Sequence, residues 1–288
     1  MSMKVILVPV TATETAAGAL KTAFALARRF ESHVLALHVR ADPRNAMPYM
    51  GEGMSGVVLQ EILAAADRDA LERAKTARAI FDAVVADVKA PLREVSDPSG
   101  GFSAAWQEEV GREDEVVSRR ARLADIVVVS AQATRQQAVV SMMMEAALLE
   151  SGRPVLISPA NGVTALGGNI AVAWSGSAEG SHAVASALPL LRAAEQVTVI
   201  SVGEGADSQT TADGLRQYLA WHDIGAEVSL PPAGEGGVGA TILGETKRAG
   251  ADLLVTGAYT HNRFRQMLFG GVTRHILAEA EIPVLIAH

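Results

Sequence analysis

Two phrases in this chain are each written twice. Arg122-Leu-Ala-Asp-Ile-Val-Val-Val129 returns as Ala249-Gly-Ala-Asp-Leu-Leu-Val255, and Arg153-Pro-Val-Leu-Ile157 returns as Ile282-Pro-Val-Leu-Ile286. Each is a short apolar run rich in β-branched residues and bounded by polar or turn residues, which reads as a buried strand. A repeat this long means duplicated domains rather than a solenoid of short units. The chain is therefore expected to fold as two related halves, residues 1–160 and 168–288, joined by the Gly/Asn/Thr stretch near Ala160 to Gly168.

Within each half, apolar runs alternate with helical periodicity. Lys4 to Val10 and His33 to Val39 are expected strands flanking a helix from Glu14 to Phe30, whose final Arg28-Arg29 suits the negative end of a helix dipole. A long helix follows from Val57 to about Ala90, closed by Pro91 and read as an insertion in the first half. Further strands are expected at Ala104 to Val110, Ile126 to Val129 and Pro154 to Ile157, with a helix from Glu113 to Leu123 and another ending at Ala146 to Ser151. The second half repeats the order, with strands Asn169 to Ala173, Val197 to Val202, Ala226 to Leu230, Asp252 to Val255 and Pro283 to Ile286. Its helices are expected at Glu179 to Ala193, Ala212 to Trp221, Val238 to Ala249 and Val272 to Ala280. Such alternation predicts an α/β fold with a doubly wound, five-stranded parallel sheet in each half. These sheets bind ligands at the carboxyl ends of their strands, so function is sought in the loops after them.

Composition agrees and excludes other classes. Of the 288 residues, 49% are hydrophobic and only 4% aromatic, so the core is built from Ala, Val, Leu and Ile, as in helix-covered parallel sheets. A net charge of -7 without a basic stripe speaks against nucleic acid as a partner. The absence of cysteine removes disulfides, thiolate catalysis and Cys-based metal sites. With no apolar run long enough to span a bilayer and no signal peptide at Met1-Ser2-Met3-Lys4, a cytoplasmic protein without a membrane partner is expected.

Chemistry concentrates in Thr256-Gly-Ala-Tyr-Thr-His-Asn-Arg-Phe-Arg-Gln-Met-Leu-Phe-Gly-Gly-Val-Thr-Arg-His275, which leaves a strand and enters a helix at Gly270-Gly271. Small residues let backbone amides approach an anion, and a helix N-terminus adds free N–H groups and a positive dipole end. Thr273, in the first turn, can cap the helix or reach a phosphate. The competing reading is that Gly257, Gly270 and Gly271 serve tight turns alone.

This segment resembles the nucleotide-binding motif of the universal stress protein family: a Gly, two residues, a Gly, nine residues, then Gly-Ser or Gly-Thr. Gly257 matches the first Gly and Gly270 the third, with the nine-residue spacing intact from His261 to Phe269. Val272-Thr273 and Pro283-Val-Leu-Ile286 resemble the family's ending, and the pattern covers both halves. The resemblance implies a tandem member with the adenine nucleotide alpha hydrolase-like fold, binding ATP or another adenine nucleotide in the second half, with Mg²⁺ only alongside it. Ala173, Ser175, Val202, Thr256, Gly257, Thr260, Gly270, Gly271, Val272 and Thr273 are its implied binding residues. Three of these depart from the pattern. Thr260 replaces the second Gly, Gly271 the phosphate-binding hydroxyl, and Ser175 the family's Asp, exchanging a charge-assisted hydrogen bond for a weaker one. Trp174 either stacks on a base or fills the cleft.

In the first half the motif has nearly vanished. Thr11 stands for the Asp, Ser130 and Ala133 lie near the first two Gly positions, and Ser141-Met142 falls where Gly-Ser belongs after a two-residue deletion. Side chains there crowd a phosphate, so no ATP is expected in that half, and Met142-Met143-Met144 reads as packing. The seven histidines are scattered without ligand spacing, so no metal site is expected. Ser175 with His261 is the sole nucleophile and base pair to weigh, and Arg263 and Arg265 are either phosphate contacts or a solvated face. The chain is read as a stress-response module rather than an enzyme, with weak ATP hydrolysis the most expected of it. A non-nucleotide interaction or signalling scaffold is the alternative. By resemblance, the last strands of the halves pair into an intrachain pseudo-dimer, and a homodimer of the whole chain is a further expectation.

Overall fold

The computed structural model describes residues 3–42, 56–95, 97, 100–131, 142–203, 206–258 and 271–288. The first half contains β1 (Val5–Pro9), α1 (Ala16–Phe30), β2 (His33–Arg40), α2 (Gly56–Val88), β3 (Ser103–Val110), α3 (Glu113–Ala121), β4 (Ile126–Ser130), α4 (Met142–Glu150) and β5 (Val155–Ser158). The second contains β6 (Asn169–Ala173), α5 (Ala178–Ala193), β7 (Gln196–Ile200), α6 (Ala206–Ala220), β8 (Glu227–Ser229), α7 (Gly237–Arg248), β9 (Leu253–Gly257), α8 (Gly271–Glu279) and β10 (Val284–Ala287). The strands form one sheet in the order β3-β2-β1-β4-β5-β10-β9-β6-β7-β8. Every neighbouring pair is parallel except β5 with β10, where Val284, Leu285 and Ile286 face Ile157, Leu156 and Val155. The two five-stranded halves therefore share a single ten-stranded sheet, and the repeated apolar phrase forms its seam. Helices cover both faces, so β5 and β10 are buried along their whole length, which is why these strands read as continuous apolar runs.

The repeated Asp has a structural task in both halves. Asp125 Oδ2 accepts the backbone N–H groups of Lys4 and Val5 at 2.7 and 2.9 Å. Asp252 accepts those of Gly167 and Gly168 at 2.7 and 2.9 Å. Each carboxylate ties the residue before β4 or β9 to the start of, or the approach to, its half's first strand.

Two readings need correction. The long helix is not an insertion: α2 stands between β2 and β3 as α6 stands between β7 and β8, and is simply longer, 33 residues against 15. Its buried stripe, Ala70, Ala74, Ala77, Phe81 and Val84, recurs every three or four residues and packs on the sheet. Helix α6 starts six residues before the expected Ala212, because its first two turns are polar and carry no apolar period to read. The outermost strands are protected in different ways. Strand β8 is three residues long, and β3 is partly covered by a parallel bridge between Leu92 and Ala104.

Candidate functional site

In the second half the sheet reverses its winding between β6 and β9. Helices α5 and α6 pack in the core layer on one face and α7 and α8 in that on the other, and such a winding reversal is where open α/β sheets bind ligands. Parallel register sets Ala173 beside Thr256 at that point, with Gly257 one residue beyond. Thr256 is buried, and its hydroxyl donates to the Gly257 carbonyl at 3.3 Å.

Gly257 lies against the first turn of α5. A methyl group there would stand 2.5 Å from the Gly180 nitrogen and 2.7 Å from the Glu179 carbonyl carbon. That turn is held by Ser177, the N-cap of α5, whose Oγ accepts the Gly180 N–H at 3.1 Å. The glycine is thus required by a close approach between strand and helix, whether or not a ligand is bound. Sequence reasoning missed this contact, because nothing local to Gly257 announces Gly180.

Trp174, next after β6, is half-buried on the α5/α6 side. Its Nε1–H donates to the Thr211 carbonyl of α6 at 3.0 Å, and its ring packs on Gly180. The indole is committed to joining two helices. Ser175 and Gly176 beside it are exposed, and Gly176 takes a left-handed conformation with φ of 75°.

Val202 follows β7 and is half-buried against the α7/α8 layer. Helix α8 begins with exposed Gly271 and Val272, while Thr273 in its first turn is buried. The structure therefore gathers Ala173, Thr256 and Gly257 at adjoining strand ends. Ser175 and Val202 lie on the loops after β6 and β7, and Gly271, Val272 and Thr273 open α8. Thr260 and Gly270, with His261, Arg263, Arg265, Ala133 and Ser141, lie outside the described residues. A separate cleft of about 560 Å³ lies at the end of β8, lined by Ser229, Pro231, Thr241, Glu245 and Arg248 among others, and contains none of the implied binding residues.

In the first half hydroxyls line the equivalent strand ends. Ser130 ends β4 where Gly257 ends β9, and Thr15 donates to it at 3.1 Å. Thr15 also lies 3.4 Å from Thr13, and Thr13 2.9 Å from Thr11. Among the described residues, no group of three or more His, Asp or Glu side chains is placed to hold a metal ion. Nor is any described helix long and apolar enough to cross a membrane.

The sequence profile of the universal stress protein family matches residues 3–97 and 233–288, together more than half of the chain. The chain belongs to the universal stress protein family. The first stretch runs from β1 through α2 and the second from before α7 to the end of β10, so each half carries part of the match. A crystal structure of a universal stress protein from Archaeoglobus fulgidus superposes with a TM-score of 0.70 over 100% of this chain and 99% of that one, at 14% identity. The cytoplasmic domain of a prokaryotic cation chloride cotransporter superposes at 0.51 over 100% and 96%, with 12% identity. At such identities both report the fold alone. In sequence, the stress response protein NhaX of Bacillus subtilis is 38% identical over 52 residues, 18% of this chain. The matched stretch spans about a third of NhaX, 31% of its length.

Proposed function

We propose that this chain is a stress-response protein whose second half binds ATP or another adenine nucleotide in the crevice between β6 and β9. The observation that carries the reading is the Ala173–Thr256 register, which sets the start of the Gly257 motif at the winding reversal. Ala173, Ser175 and Val202 would meet the nucleoside, and Thr256 and Gly257 the ribose side. Thr260, Gly270, Gly271, Val272 and Thr273 would meet the phosphates, with Mg²⁺ arriving alongside the nucleotide. The halves 1–160 and 168–288 act as the two members of a pseudo-dimer in the cytoplasm, the first without nucleotide, and whole chains pair into homodimers. The protein works by binding rather than by turnover.

A second reading, an interaction scaffold without nucleotide, draws support from the uncharged Ser175 and from Trp174, which is tethered to Thr211 instead of free to stack on a base. Calorimetric titration with Mg-ATP, after any co-purified nucleotide has been extracted and identified, separates the two. Saturable binding that is lost in Gly270→Asp supports the nucleotide site. No heat and no extracted nucleotide leave the scaffold standing.

A further inference from the structure

The edge of the sheet at β8 carries a cleft that the nucleotide reading does not use. Strand β7 lies between this edge and the β6–β9 winding reversal, so the two places are separate. Although β8 is three residues long, the chain stays bonded to its neighbour beyond it. The Ser201 N–H donates to the Ser229 carbonyl at 3.0 Å and the Gly203 N–H to the Pro231 carbonyl at 3.2 Å. In a parallel ladder successive residues turn their backbone groups to alternate sides. Glu227, Ser229 and the Pro231 carbonyl therefore face β7, and Val228 and Leu230 present their N–H and C=O groups to the open side, where the strand order ends.

Side chains alternate in the same way. Val228 and Leu230 pack on the α5/α6 layer, while Ser229 points to the other face, where its hydroxyl donates to Glu245 Oε2 at 3.0 Å. On that face the cleft of about 560 Å³ has two walls: the extended chain from Ser229 to Pro232, and one stripe of α7 formed by Thr241, Gly244, Glu245 and Arg248. Gly244 leaves a notch in the stripe, since a methyl group there would meet no atom of the described residues within 4 Å. A groove between an open strand edge and a helix suits an extended peptide that adds as a further strand, its backbone pairing with the edge and alternate side chains entering the groove.

Charge decides which side chain enters. Glu245 is buried and accepts from both Ser229 and Arg248. The Arg248 side chain, 74% exposed, uses one of its five N–H groups on that pair and keeps others for an incoming acceptor. Lys247 adds a second exposed cation in the same last turn of α7. Glu227, the other acid on this face of β8, lies outside the cleft and accepts from Gln196 at 3.4 Å. The groove thus favours a carboxylate over an ammonium.

We propose that this edge binds an extended, acidic segment of a partner protein, paired backbone to backbone with Val228 and Leu230 and placing a carboxylate side chain opposite Ser229, against Arg248. The shortness of β8 keeps the edge from pairing indiscriminately, because so short a ladder does not hold a strand without the contacts in the cleft.

The test is ¹⁵N NMR of the full chain, titrated with the capped pentapeptide Ac-Glu-Val-Glu-Val-Glu-NH₂, its Lys-Val-Lys-Val-Lys counterpart, and the Glu peptide N-methylated at both valines. The expected result is a saturable shift of the Val228 and Leu230 amides with the Glu peptide, about tenfold weaker with the Lys peptide. The N-methylated peptide should not bind, because it has lost the N–H groups that would donate to β8. Arg248→Gln, which keeps an amide donor for Glu245, should weaken the Glu peptide about fivefold. If that variant does not fold, the Lys and N-methylated peptides decide. No saturation, equal responses to the Glu and Lys peptides, binding that survives N-methylation, or shifts that miss Val228 and Leu230 would each overturn the proposal. Shifts of those amides that track protein concentration without peptide would overturn it too, assigning the edge to a second copy of this chain.

Discussion

Gly257→Ala, measured without nucleotide, tests whether this glycine is held by packing. The added methyl carbon would meet the Gly180 nitrogen at 2.5 Å, the Glu179 carbonyl carbon at 2.7 Å and the Gly180 Cα at 3.0 Å, where ordinary contact begins at 3.4 Å. All three are backbone atoms of a capped helical turn and cannot swing aside as a side chain would. Strand and helix must separate by several tenths of an ångström, an overpacking that costs about 1–3 kcal/mol. At about 2–4 °C per kcal/mol for a large domain, the melting temperature should fall by about 2–12 °C. Gly271→Ala provides the opposite sign: the methyl there meets no atom of the described residues within 4 Å, and alanine in place of glycine at a helical position gains about 0.5–1 kcal/mol. Differential scanning calorimetry of both variants, paired with urea titration, reads the two effects. A Gly257→Ala protein that melts like wild type would refute the packing argument and leave Gly257 as a ligand residue alone.

Two further outcomes follow from the same structure. Asp252→Ala removes the acceptor for two backbone N–H groups at Gly167 and Gly168 and should lower stability by roughly 2–3 kcal/mol in urea titration, with Asp125→Ala acting likewise at Lys4 and Val5. Wild-type stability in either variant would remove these carboxylates from the account. For His33, burial first and the Arg93 charge second lower the folded-state pKa below 6.5. The unfolded chain then takes up the proton first, so stability should fall as pH drops through 6.5 and level off once the folded ring protonates as well. His33→Gln should flatten that part of the stability–pH curve, and an unchanged curve would contradict the assignment.

Much of the architecture was legible one residue at a time. Continuous apolar runs such as Val5 to Pro9 and Val284 to Ala287 read as strands because both of their faces are buried, and the Ala and Leu period of α1 marks the side it lays on the sheet. Where that period is missing, as in the polar first turns of α6, the reading started late. The site was legible only as a spacing, Gly257 to Gly270, since a motif names residues without saying what presses on them.

The sequence by itself determined the elements, their order, the duplication and the family, because each leaves a local or repeated trace in the chain. Only the tertiary structure decided that β5 and β10 meet antiparallel, that Gly257 is pinned by Gly180, that Trp174 belongs to Thr211, and that the end of β8 borders a cleft walled by α7. Periodicity records which side of an element is buried. What lies against that side depends on residues far along the chain, whose approach is set by sheet register and helix placement in three dimensions.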